Sequence, residues 1–127
     1  MAVRVALVVL ALSQLVLAVW QIADPGDFHR TLADFGPQND HYLHDIAAWE
    51  ATLAVCALAA VWLPSWRVPV LAFAALQFVF HTISHIADAG DARGDTNGTF
   101  DAVSLGIGAG LLIALALLAR REEPARV

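Results

Sequence analysis

The sequence predicts an all-α protein embedded in a membrane as an antiparallel four-helix bundle with both termini in the cytoplasm, and three observations carry that prediction. Of its 127 residues, 59% are hydrophobic and only 15% are charged, too little polar surface to cover a small soluble globule. Four apolar runs recur, each near the ~20 residues a helix needs to cross ~30 Å of hydrocarbon. The arginines divide unevenly between the connections: Arg4, Arg67, Arg120, Arg121 and Arg126 fall at one end, and only Arg30 and Arg93 at the other. The positive-inside rule then places both termini in the cytoplasm of a multi-pass protein of the cell membrane.

The first span covers residues 3–22 and is interrupted by Arg4, Ser13 and Gln14. A secretory signal peptide competes for this stretch, because Arg4 precedes an apolar core and Val16-Leu-Ala18 resembles a cleavage site. The apolar run continues to Trp20 and Ile22, longer than a typical signal core. Residues 24–40 form a polar loop with turn signals at both ends and room for a short interfacial helix around 28–35. The second span covers 41–63, with Asn39 or Asp40 as its N-cap.

Residues 64–69, Pro-Ser-Trp-Arg-Val-Pro, read as a tight reversal that makes the flanking spans antiparallel neighbours. The third span covers 69–87 and leads into an acidic, glycine-containing loop before the fourth, 100–119. There Gly106 and Gly110 stand four apart, as do Ser104 and Gly108. Small residues at that spacing let a neighbouring helix approach, and the Gly106/Gly110 face suits a membrane-protein partner or a second copy of the chain. No internal repeat divides the sequence, so residues 1–127 read as one transmembrane domain whose main partner is the lipid bilayer.

The net charge of −5 and the complete lack of lysine leave no basic patch for a nucleic acid. A single cysteine, Cys56, excludes an internal disulfide and a Cys-based zinc or iron–sulfur site.

Chemistry concentrates toward the extracytoplasmic side. Gln77, His81 and His85 stand four apart and form one stripe of the third span. His41 and Asp45 share a face of the second span in the same way, and Asp101 opens the fourth. Imidazoles and carboxylates from three helices at similar depth make His41, Asp45, His81, His85 and Asp101 a candidate metal set for Zn²⁺, Mn²⁺ or Fe²⁺, with Cu²⁺ possible and soft Cu⁺ disfavoured. His29 reads as solvated and His44 as interfacial. Beneath them Gln14, Glu50 and Gln77 fall near one level, where a carboxylate is protonated or paired. Glu50 and Asp101 are the candidate catalytic bases.

The pattern of Asn39, His41 and Asp45 opening one span, Phe80, His81 and His85 near the end of the next, and Asp101 before a final span resembles small uncharacterised four-helix membrane proteins of actinobacteria. That resemblance implies a fold and a recurring polar constellation; Gln77 stands where a further histidine is expected. Two functional classes compete with metal-dependent chemistry on a membrane-adjacent substrate. One is a haem held by His41 or His44 and His81 or His85. The other is a non-catalytic accessory subunit of a membrane complex.

Overall fold

The computed structural model describes residues 1–122, and among them every regular element is helical. These are α1 (Ala2–Ala23), α2 (Pro25–Leu32), α3 (Asp40–Trp62), α4 (Pro64–Asp88), a 3-10 turn (Ala89–Asp91) and α5 (Gly98–Glu122). α1, α3, α4 and α5 are each long and apolar enough to cross a membrane. Arg126 lies outside the described residues.

Local chemistry sets the boundaries. Asn39 caps α3, its side chain accepting from the Tyr42 amide at 3.1 Å, as its residue type predicts. The short helix expected in the first loop forms three residues early. Asp24 accepts from the Asp27 amide at 2.9 Å and Pro25 occupies the first helical position, where a missing N–H costs nothing. The Trp20 indole donates to Asp27 at 3.1 Å, and buried Phe28 meets Trp20 edge-on at 5.4 Å, which folds α2 back onto the end of α1.

The reversal is shorter than the sequence suggests, because only Leu63 separates α3 from α4. Pro64 starts the helix rather than breaking it, and Pro69 lies inside α4, just past the first turn. Arg67 reaches back from α4 to donate to the Ala60 and Val61 carbonyls, each at 3.2 Å, satisfying orphan acceptors at the end of α3. We call this the turn end.

At the opposite, loop end the two long connections clasp each other. The Arg93 amide donates to the Asp34 carbonyl at 2.8 Å, and the Asp34 amide donates to Thr96 Oγ1 at 3.1 Å. Gly94 adopts φ of 57°, a conformation open to glycine, and Gly98 admits no side chain because a Cβ would lie 2.5 Å from the Ala89 carbonyl oxygen.

α1 packs along α3 and α4 along α5, while α3 joins the two pairs. One apolar cluster runs through all four, drawing Val3 and Leu7 from α1, Ala57 and Ala60 from α3, Leu71 and Ala74 from α4, and Leu112 and Ala119 from α5. The small residues of α5 divide. A Cβ on Gly108 would lie 2.9 Å from the Phe78 ring and one on Gly106 3.5 Å from Thr82, whereas Gly110 meets nothing within 4 Å. The close approach of α4 and α5 is therefore made at Gly106 and Gly108, not at Gly110.

Candidate functional site

The apolar cluster stops at Leu53 on α3 and Ala75 on α4. Beyond it the same helix faces continue toward the loop end with polar residues, since positions seven apart return to one face. Leu7 is followed by Gln14 and Gln21 on α1, Ala57 is preceded by Glu50 on α3, and Ala74 is followed by His81 on α4. Gln14 and Gln21 are buried, Gln21 with 0% exposure.

Gln21 rather than Gln14 meets Glu50. Its Nε2 donates to the Leu17 carbonyl at 3.2 Å and to Glu50 Oε2, while its Oε1 is buried without a partner. The common level expected of Gln14, Glu50 and Gln77 is displaced by a register offset. Gln21 stands two residues before the end of α1 and Glu50 ten residues into α3. At ~1.5 Å per residue, α3 thus overruns α1 by ~12 Å.

That overhang carries the His41–Asp45 pair. The two side chains approach to 3.7 Å, as their spacing predicts, but are 88% and 67% exposed. His44 is exposed beside them. His29, read as solvated, instead meets the Gly36 carbonyl through Nε2 at 3.0 Å and ties α2 to the loop that follows.

The other pair of helices holds the histidine stripe. Gln77 Nε2 lies 3.4 Å from His81 Nδ1, and His81 Nε2 lies 3.0 Å from His85 Nε2, with ring centroids 4.6 Å apart. Between two neutral imidazoles that contact needs one N–H donor and one acceptor. Phe35, from the loop after α2, packs edge-on against His85 at 5.0 Å. Asp101 of α5 and Asp88 lie within electrostatic reach of His85.

Three atoms here are buried without hydrogen-bond partners: Gln77 Oε1, His85 Nδ1 and Asp101 Oδ2. Native structures rarely leave such groups unsatisfied.

Among the described residues, no three His, Cys, Asp or Glu side chains gather closely enough to hold a metal ion between them. The five-residue set read from the sequence thus divides into His41 with Asp45 on the overhang, and His81 with His85 facing Asp101. Sequence reasoning missed Gln21, although its distance of seven residues from Gln14 on one face of α1 was a usable signal. Phe35 gave no signal, since only the loop path brings it to His85.

No known protein family, curated protein or solved structure matches the chain.

Proposed function

We propose that this chain is a four-pass integral membrane protein, an antiparallel bundle with both termini cytoplasmic, that holds a divalent transition metal on His81 and His85 near its extracytoplasmic face. The orientation rests on the arginine asymmetry and on the clasped acidic loops sharing one end. The antiparallel arrangement is supported by the apolar cluster, which joins the first half of α1 to the second halves of α3 and α5.

The observation that carries the metal reading is the pair of Nε2 atoms facing each other at 3.0 Å. Two nitrogens each ~2.1 Å from one ion at the tetrahedral angle stand ~3.4 Å apart, so a small opening of this pair would seat an ion between them. Imidazoles four residues apart on a helix are the spacing by which one face presents two ligands to a metal. With both Nε2 atoms ligating, His85 would carry its proton on Nδ1, a tautomer that the Asp101 carboxylate, within electrostatic reach of His85, would favour. A carboxylate in that role fixes the tautomer and strengthens the ligand.

The chain then supplies two nitrogens and leaves open positions for water and substrate. A metal held there would lower the pKa of bound water and polarise a carbonyl, chemistry suited to a substrate reaching the loop end from the membrane surface. Two imidazole nitrogens suit Zn²⁺, Fe²⁺ or Cu²⁺. In this narrower reading His41, Asp45 and Glu50 stand outside the site.

Elemental analysis of the protein purified without chelator, then supplied in turn with Zn²⁺, Mn²⁺, Fe²⁺ and Cu²⁺, tests it. Near-stoichiometric metal is expected, lost in His81→Ala and His85→Ala and kept in His29→Ala and His44→Ala. Binding weakens as pH falls, because protons compete for both nitrogens. A Soret band in the same preparation would replace the divalent ion with haem, and retention of no metal at all would leave the histidines as a helix-bonding pair. Labelling of cysteines introduced at Asp27, Ser65 and Asp91 in a Cys56→Ala background tests the topology; Ser65 reactive from outside with the others protected would invert it.

A further inference from the structure

The α1–α3 pair carries a polar centre of its own. Glu50 occupies the α3 face that seven residues later bears fully buried Ala57. Gln21, with 0% exposure, spends both hydrogen bonds of its Nε2 on Leu17 and Glu50 and leaves Oε1 buried and unpartnered. What remains around this point is acceptor: two carboxylate oxygens and an amide oxygen.

Among the described residues no cationic side chain pairs with it. The chain has no lysine, and the ion pairs among the described residues are Arg30 with Asp27 and His41 with Asp45. A carboxylate with no cationic partner beside a buried, unpartnered amide oxygen is costly unless it is protonated, and an occupant rich in donors would satisfy both. A hard inorganic ion such as Ca²⁺ takes about six to eight oxygens, more than this pair presents. A primary ammonium carries three N–H donors on a compact head, one for each acceptor, and its bonds to a carboxylate are charge-assisted. Gln21 lies two residues from the end of α1, toward the loop end of the bundle.

We propose that Gln21 and Glu50 form a binding site for a primary ammonium group, separate from the histidine pair. A soluble alkylamine and the head group of an ethanolamine lipid offer the same chemistry.

Thermal unfolding in phosphatidylcholine nanodiscs tests this with ethylammonium, and with tetramethylammonium and Na⁺ at equal ionic strength as cations lacking N–H donors. Saturable stabilisation by ethylammonium alone is expected, absent in Glu50→Gln, which keeps the hydrogen bond to Gln21. Gln21→Met should weaken the response about tenfold, the loss of one hydrogen bond to a charged group. If ethanolamine-lipid nanodiscs stabilise the parent, but not Glu50→Gln, and remove its response to ethylammonium, the lipid is the source; a response that persists there assigns the soluble amine. Should the variants fail to fold, modification of Glu50 in the parent by a hydrophobic carbodiimide provides the readout, with protection by ethylammonium and none by tetramethylammonium expected. Equal effects of all three cations, or no effect of any in either lipid, overturn the proposal. Metal content is not part of the readout, so the result stands apart from the fate of the histidine site.

Discussion

At the turn end, Ala57, Ala60, Leu71 and Ala74 are fully buried and carry no polar side-chain atom, and a one-residue reversal closed by Arg67 holds α3 to α4. At the loop end the same faces carry Glu50, Gln77 and His81, the connections are long, and four side-chain atoms are buried without partners. The difference teaches where each job is done. If these helices lie in a bilayer as proposed, hydrocarbon gives little hydrophobic drive between them, and close packing of small residues holds the bundle. With that half secured, the other can keep polar groups that packing alone would not favour.

The sharpest way to break this contrast is to cut into the packed half. Leu71→Ala should cost about 2–5 kcal/mol in reversible unfolding, because a buried leucine leaves a cavity that small neighbours cannot fill. Gln77→Ala at the loop end should cost less than about 1 kcal/mol, because it removes one long contact to His81 within the same helix and an oxygen that has no partner. Equal losses would mean that the polar half holds the fold as firmly as the apolar one.

A smaller effect separates the two glycines of α5. Gly108→Leu must displace the Phe78 ring and should cost about 1–3 kcal/mol, whereas Gly110→Leu, with open space around it, should stay within about 0.5 kcal/mol. If Gly110→Leu instead dissociates an oligomer on size exclusion, the expectation of a partner on that face is sharpened, and the loop end is not the only functional surface.

Asp101→Asn keeps the shape of the histidine site and removes a charge within electrostatic reach of His85. Metal affinity should fall about 10–100-fold by equilibrium competition with a chelator, with folding stability nearly unchanged. A purely structural Asp101 would show the reverse. Least of all, Asp24→Ala removes the cap of α2 and should cost about 1 kcal/mol, read as local loss of amide-exchange protection over residues 25–32.

The sequence by itself determined what depends on neighbours along the chain. Four apolar runs of spanning length, the Asn39 cap, the pairing of His41 with Asp45 and the facing of His81 and His85 all follow from periodicity and spacing within one helix. Pro64 was legible only halfway, because proline both breaks a helix and begins one, and the absence of an orphan N–H at the first position is what decides. The tertiary structure alone decided how far each helix slides past the next. That offset gives Glu50 to Gln21 instead of Gln14, leaves His41 and Asp45 on an exposed overhang, and sets Gly108 rather than Gly110 against Phe78. Helix faces repeat every seven residues, so several registers bury nearly the same apolar surface, and it is the fit of small residues and the lengths of the connections that choose among them.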